Sequence, residues 1–164
     1  MAELISLTNA YREKLFQFEL TNRAWFELWV PPRPEYYYQE VAFQGVFDDL
    51  LSANEQGADR FYLLVEQGEI IGRFNLTDIN RRAEIGYRVA KDKVGKGYAT
   101  LGLQELIVEA QKLGLAFLHA KALKENPAST RMLLKQRFLP TSDIEVVLLN
   151  GTQMHLQSYQ RELL

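Results

Sequence analysis

From Val94 to Thr100 the chain reads Val-Gly-Lys-Gly-Tyr-Ala-Thr, following an apolar strand-like run and opening a helical pattern. Glycines at such a junction let backbone N–H groups converge on an anion, with the positive end of the helix dipole behind them. The chemistry indicated is the holding of a phosphate or diphosphate. Two phosphate-binding folds fit poorly. A P-loop needs Gly, four residues and then Gly-Lys-Ser/Thr, which the chain does not supply. A dinucleotide loop needs a third glycine where Thr100 stands. It also needs an acidic residue about twenty positions on. The corresponding stretch, Leu118 to Leu123, has none. A plain tight turn before a helix is the other reading of these residues.

The elements around the loop follow from periodicity. Apolar positions Leu15, Phe18, Ala24, Trp25, Leu28 and Trp29 give one or two helices over 8–29. The run "VPPRPEY" breaks that pattern, because consecutive prolines cannot continue a helix. A second helical pattern follows and ends near Gly57. The period then changes to two β-rich runs joined at Gln67-Gly68 and a third strand, "RRAEIGYRVA". Their short connections require an antiparallel meander.

From Gly97 to Leu113 one face carries Ala99, Leu103, Leu106, Ile107, Ala110 and Leu113, with Lys112 and Gly114 as stop signals. The apolar strand after it lies across a helical crossover, hence parallel to the third strand. Asn126 and Pro127 supply a cap and a first position for a further helix. Strands near 143–149 and 152–162 turn at Asn150-Gly151. The expected fold is α/β, of the α+β type. An antiparallel meander is followed by a β-α-β crossover in one mixed central sheet flanked by helices, and 1–164 reads as a single domain.

Composition narrows the function classes. The 164 residues are 47% hydrophobic and 24% charged, a globular profile able to bury a core. With no cysteine, disulfides, thiolate zinc sites and a cysteine nucleophile are excluded. A formal charge of -2 gives no basic footprint for nucleic acid. The N-terminal stretch has no basic region followed by a long apolar core, and no apolar run approaches the 18 or so residues of a membrane span. The expected setting is the cytoplasm, without membrane or direct nucleic-acid partners. His119 and His155, isolated in separate strands, do not make a metal site and read as structural.

With these surroundings the loop resembles the GNAT family of acyl-CoA-dependent N-acetyltransferases. That family carries Gln/Arg-x-x-Gly-x-Gly/Ala at the start of the helix after its fourth strand. Val94-Gly95-Lys96-Gly97-Tyr98-Ala99 matches it, with Val94 in place of Gln or Arg. A second motif, "NPASTRMLLKQRF" from Asn126 to Phe138, follows the family's later helix. It departs at Arg137, where glycine is expected and a different loop geometry is implied. It departs again at Leu133, where many members carry a tyrosine that protonates the leaving thiolate. "LTNRAWFELWVPPRPEYYYQE" and "AEIGYRV" look like the bacterial ribosomal-protein-alanine N-acetyltransferases. The resemblance covers nearly the whole chain and is strongest over 83–138.

The resemblance implies acetyl-CoA as donor, with the amides of Val94 to Ala99 on its pyrophosphate and Asn126 as both cap and ligand, or else as a cap alone. It implies that the third strand and the following parallel strand splay. N–H groups near Tyr87, Arg88 and Val89 then meet the carbonyl and the pantetheine arm. A β-bulge beside Gly86 would cause the splay, close packing there being the alternative. Glu84 is the candidate base, or else a strand-end carboxylate paired with Arg81 or Arg82. Ser129 lies on the helix face of Asn126 and Leu133 and is the candidate thiolate proton donor, or else a first-turn residue bonding backbone. Trp25, Trp29, Tyr36, Tyr37 and Tyr38 read mostly as packing, with some lining an acceptor cleft, and Arg81-Arg82 as solvent-facing.

The leading expectation is acetyl transfer to a protein N-terminus such as that of a ribosomal protein, by direct attack in a ternary complex. A small-molecule amine or lysine acceptor is the nearest alternative. A CoA-binding module without turnover, or a nucleotide-binding protein, stands beyond it. Monomer and homodimer are both open.

Overall fold

Period-2 segments build one seven-stranded sheet in the order β1-β2-β3-β4-β5-β7-β6. The computed structural model describes residues 1–163. Its strands are β1 (Glu3–Ser6), β2 (Arg60–Glu66), β3 (Glu69–Thr77), β4 (Arg82–Val89), β5 (Phe117–Leu123), β6 (Leu139–Leu149) and β7 (Thr152–Glu162). The helices are α1 (Arg12–Thr21), α2 (Arg23–Phe26), α3 (Glu40–Gln56), α4 (Tyr98–Lys112) and α5 (Pro127–Lys135). All neighbours pair antiparallel except β4 and β5, which are parallel across α4, as expected of a helical crossover.

Both hairpin turns form where the sequence puts them. Gln67-Gly68 and Asn150-Gly151 have positive φ at both positions, 52° and 76° in each case. Strand β1 is not in the sequence reading. Four residues are too few to show alternation, and the strand is held by pairing with β2 and by the Leu4 N–H donating to Glu105 Oε2. The first strand of the final hairpin begins at Leu139, four residues before the expected start.

Helices cover the sheet on two sides, around two apolar clusters. On one side α4 lays Leu103, Leu106, Ile107 and Ala110 against Phe74, Leu76 and Ile85, and α5 adds Leu133. Leu113, expected on that face, is the helix C-cap and is exposed. On the other side α1 and α3 bury Leu15, Phe18, Phe43 and Phe47 against Phe61, Leu63 and Val65. Leu28, also expected on an apolar face, lies beyond the end of α2 and is exposed.

Two contacts set how closely the layers approach. A Cβ on Gly102 would lie 2.1 Å from the Phe74 ring, so glycine lets α4 sit down on β3. On the opposite face Arg73 Nη1 donates to Glu19 Oε1 at 2.6 Å and to the Tyr37 hydroxyl at 3.1 Å. Burial pushes the Glu19 carboxyl up, but the guanidiniums of Arg73, Arg88 and Arg33 outweigh it and hold the pKa below its ordinary value.

Helix α5 ends in a Schellman motif: Phe138 N–H donates to Leu133 O and Arg137 N–H to Leu134 O. Arg137 has φ 66°. The expected change of loop geometry does not occur. The left-handed turn that favours glycine is kept, and an arginine adopts it, held by the buried contact of Leu133 with Phe138.

The sheet forks at its centre. Parallel pairing of β4 with β5 covers three positions: Arg82 with Phe117, Ala83 with Leu118 and Glu84 with His119. Beyond Glu84, β4 continues to Val89 on β3 while β5 continues to Leu123 on β7. The expected bulge at Gly86 is absent, since the β3–β4 register runs unbroken from Thr77–Glu84 to Gly72–Val89. Close packing is absent too, because a Cβ on Gly86 would meet nothing within 4 Å. The strands diverge because each stays with its outer partner.

Two stability outcomes are expected. Gly102→Ala drives a methyl into the Phe74 ring and lowers unfolding free energy by about 1–3 kcal/mol in urea titration. Glu19→Gln leaves Arg73 buried without its anion and costs about 3–5 kcal/mol near pH 7. Because the folded pKa of Glu19 is depressed, its contribution is present above the unfolded value and lost as pH falls through the folded one. The difference between wild type and Glu19→Gln therefore narrows progressively below about pH 4.3.

Candidate functional site

The glycine loop stands where β4 hands over to α4. Val94 is extended, Gly95 and Gly97 have φ of 74° and 84°, and Gly97 is the N-cap of α4. A Cβ on either glycine would meet open space, so it is the backbone conformation that requires them. The first N–H to bond back is that of Leu101, to Gly97 O. The earlier N–H groups of the first turn, from Tyr98 to Thr100, have no carbonyl a turn behind them. Lys96 is exposed and Val94 half-exposed, so the loop opens outward. The Tyr98 hydroxyl donates to Glu66 Oε1 at 3.0 Å, tying the loop to the end of β2.

Tyr87, Arg88 and Val89 lie on the part of β4 that β5 does not pair. Their backbone groups pointing away from β3 face the gap of the fork. The side chain of Tyr87 carries a feature the sequence reading gave to the backbone alone. Its ring stacks on Phe74 at 6.1 Å, and its hydroxyl hydrogen-bonds Ser129 Oγ on α5. Burial raises the phenol pKa, and the bond to Ser129 offsets this only in part, so the phenol is a proton-bearing group at neutral pH. Leu133, where the resemblance expects a tyrosine, is fully buried in the core. Alternation along Ile85, Tyr87 and Val89, against apolar partners, was the signal that would have sent Tyr87 toward α5.

Asn126 occupies the N-cap position of α5, but its side chain makes no cap bond. The expected capping is confined to its backbone oxygen, which accepts from Thr130 N–H at 3.3 Å. Among the described residues its side-chain amide makes no hydrogen bond, and it lies one turn from Ser129.

Glu84 is the last β4 residue paired before the fork. It lines a groove of about 560 Å³ with Asp78, Arg82, His119, Lys121 and Asp143. It also lines an adjoining, more apolar cavity of about 280 Å³ with Trp29, Pro31, Leu123 and Leu156. Among the described residues it forms no ion pair with Arg81 or Arg82, so the surface-pair alternative is not realised. His119, read from sequence as structural, is a wall of the same groove. His155 has a carboxylate partner distant in sequence, Glu125, at 2.9 Å and well away from Glu84. Of the aromatic set, Tyr37 is buried, Trp25 and Trp29 pack edge to face, Tyr36 is exposed and Trp29 reaches the cleft.

The N-terminal motif residues hold this side together. Asn22 Oδ1 accepts the Lys91 N–H at 2.9 Å, fixing the end of β4 to the end of α1. Arg23 bonds Glu27 and Glu35 and lies 3.9 Å over the Tyr38 ring, joining α2 to the turn before α3.

The assembled site is thus an open strand fork with an amide-rich loop at one end. A carboxylate stands on one sheet face and a hydroxyl pair on the other. Such a fork admits an extended group along β4, with an anion at Gly95–Gly97 and proton transfer possible from either face.

Comparison with known proteins agrees with this architecture. The family model described as "Acetyltransferase (GNAT) domain" matches residues 3–138. Ribosomal-protein-serine acetyltransferase of Escherichia coli (strain K12) is 25% identical over 144 residues, 84% of this chain and 78% of that protein. An uncharacterized N-acetyltransferase p20 of Bacillus licheniformis is 40% identical over 84 residues, and the match spans 48% of this chain and 47% of that relative. Ribosomal-protein-S5-alanine acetyltransferase of Vibrio fischeri has the same fold, with a TM-score of 0.90 at 15% identity over 98% of this chain and 92% of that one. With its mixed forked sheet, its glycine loop and a family match spanning most of its length, the chain belongs to the GNAT acetyltransferase family.

Proposed function

We propose that the chain transfers an acetyl group from acetyl-CoA to the N-terminal α-amine of a protein, such as a ribosomal protein, by direct attack in a ternary complex. The observation that carries this reading is the fork, with the amide-rich loop at its outer end and Glu84 at its base. Relatives named as ribosomal-protein acetyltransferases support the acceptor class.

In this reading the backbone N–H groups from Val94 to Ala99 hold the diphosphate of the donor. The unspent amide of Asn126 bonds the arm as it passes α5. N–H groups among Tyr87, Arg88 and Val89 bond the pantetheine and polarise the thioester oxygen, where their dipoles are fixed before reaction. Acetyl-CoA supplies an acyl carbon activated by a thiolate leaving group.

The protein then has two protons to manage. The acceptor nitrogen bonds the acyl carbon as the carbon–sulfur bond breaks. Its surplus proton passes to Glu84, directly or through water, and Ser129 gives a proton to the departing sulfur. Tyr87 restores the Ser129 proton from a phenol kept neutral by burial. After product release solvent returns a proton to Tyr87 and takes the one on Glu84, so both groups are reset. An α-amine suits this arrangement. Its ordinary pKa of about 7.7–8.0 against about 10.4 for lysine leaves it a few hundredfold more deprotonated at neutral pH. A difference of roughly 3 kcal/mol in deprotonation need not then come from the base.

A thiol-release assay with acetyl-CoA tests the reading against a panel of peptides with free N-termini, matched N-blocked lysine peptides and polyamines. Release confined to free N-termini is expected. Release on polyamines or blocked lysine peptides alone reassigns the acceptor, and CoA binding without release on any amine marks a binding module. Glu84→Gln is expected to lower kcat/KM by about 10²–10⁴-fold, the range for loss of a general base.

Ser129→Ala is expected to cost about 10–10²-fold in kcat and Tyr87→Phe less, since water can recharge the serine. The double variant should be little worse than Ser129→Ala, because the two hydroxyls act in series. Additive losses in that cycle would remove Tyr87 from the path.

A further inference from the structure

Among the described residues two buried side-chain polar atoms have no hydrogen-bond partner, Arg33 Nε and Asn75 Oδ1. Native interiors pair nearly all such atoms, so an unpaired one calls for a ligand, an ion or water. Asn75 lies on the sheet face that carries Glu84, and Arg33 stacks on Tyr37, which bonds Arg73 of the same face. Asn75 is the cross-strand partner of Gly86, and Arg73 is the partner of Arg88. Alternation puts Glu84, Gly86 and Arg88 on one face of β4.

The charge around these atoms is unbalanced. Glu19 bonds Arg73 at 2.6 Å and Arg88 only at 3.3 Å, and Arg33 lies 4.5 Å over the Tyr37 ring without an anion of its own. Three guanidiniums thus surround one carboxylate. Glu27 and Glu35, on the segment that leads to Arg33 and just beyond it, both bond Arg23. Each guanidinium has five N–H donors, and among the described residues most of those on Arg33 and Arg88 have no hydrogen-bond partner. Burial lowers the Arg88 pKa and Glu19 raises it, while Arg33 and Arg73 push it down again, the sign of cations crowded together.

Position joins this cluster to the acceptor cleft. Trp29, Val30 and Pro31 line the cavity beside Glu84, and Arg33 follows two residues later. Arg88 lies four residues along β4 from Glu84, roughly 13 Å at the rise of a strand. Gly86, between them, offers no side chain, and a Cβ there would meet nothing. No side chain of β4 therefore stands between Glu84 and Arg88 on this face. An extended peptide covers about 3.3–3.6 Å per residue, so with an amine at Glu84 the backbone falls short of Arg88 at the second or third residue, and the acidic side chain there together with the arginine side chains spans the remainder.

We propose that the cleft selects acceptor peptides with an acidic side chain at the second or third residue. Arg33 and Arg88 bind the carboxylate. This deepens the N-terminal reading of the acceptor and rests on it. A fork-shaped, charge-assisted pair is the strong form of such a contact.

The test measures binding by calorimetry to the chain saturated with CoA, so that it does not depend on turnover. The probes are Ser-Glu-Ala-amide, Ser-Ala-Glu-amide, Ser-Gln-Ala-amide and free aspartate. At least one acidic tripeptide is expected to bind 10-fold or more tighter than the glutamine peptide, with the ratio falling as salt rises. Arg33→Gln, a partly exposed position that spares the buried pair, is expected to bring that ratio close to one. Equal affinities in wild type, or a preference that survives Arg33→Gln, would overturn the proposal. Free aspartate binding as tightly as the acidic peptides would move the carboxylate to a small acceptor and overturn the peptide assignment. Acidic preference without thiol release would instead sink the transfer reaction while leaving the carboxylate subsite standing.

Discussion

Backbone N–H and C=O groups inside a sheet must find partners, and at the centre of this one they do not find each other. Past Glu84 the two parallel strands separate, although each remains fully paired on its outer side. The remaining elements are arranged so that the gap neither closes nor floods the core. Helix α4 starts from the far end of β4, α5 starts from the far end of β5, and both pack on the same face. The gap thus has a helix N-terminus at its mouth and a second helix along its flank. A sheet zipped to the end would satisfy more hydrogen bonds and would offer nothing to bind.

What keeps β4 from following β5 is its attachment to β3 and to the elements behind it. Phe74 on β3 is clamped by Gly102 of α4 and stacks on Tyr87, which fixes one face. Arg73 on β3 is buried with Glu19 and Tyr37, and Arg88 reaches the same carboxylate, which fixes the other. Asn22 then ties down the last residues of the strand through the Lys91 N–H. Apolar packing on one side and a buried ionic cluster on the other hold one strand straight. A buried ion pair is poor evidence for net stability, since desolvation offsets much of the attraction. Its value here lies in geometry: Glu19 can satisfy two arginines only when β3 and β4 are in register against α1.

Most of this architecture was legible because it rests on local rules. Both positive-φ hairpins, the crossover and the apolar face of α4 follow from residue type and spacing, and only the boundaries shift. The loop was legible for the same reason, since Gly95 and Gly97 adopt the conformation that glycine alone takes readily. Three kinds of feature stayed out of reach. Strand β1 is shorter than the period that would reveal it. The fork has no sequence mark, because the glycine that suggested a bulge lies in an unbroken register and the divergence comes from outer pairings. Partnerships between distant residues were missed throughout. His155 with Glu125, Tyr87 with Ser129 and Arg73 with Glu19 each join positions that only folding brings together. Arg137 misled in the opposite way: a residue type that argues against a left-handed turn occupies one, because the Leu133–Phe138 contact outweighs the local preference.

The division of labour across β4 follows from the pleat itself. Even-numbered residues from Glu84 to Arg88 face the α1 side, with the groove, the carboxylate and the arginines. Odd-numbered residues from Ile85 to Val89 face α4 and α5, with the hydroxyl pair. In the proposed reaction a proton leaves the incoming amine on one face while another reaches the departing sulfur on the other. The base and the acid are therefore kept apart by the backbone, and cannot neutralise each other by direct exchange. A strand does this with no additional structure, since its side chains alternate by construction. The arrangement also tightens the demand on register. A slip of one residue would turn Glu84 into the core and Tyr87 into the groove, exchanging every role at once. The clamps on Phe74 and Arg73, one on each face, both oppose that slip, and they sit on the neighbouring strand two and three residues from where the fork opens.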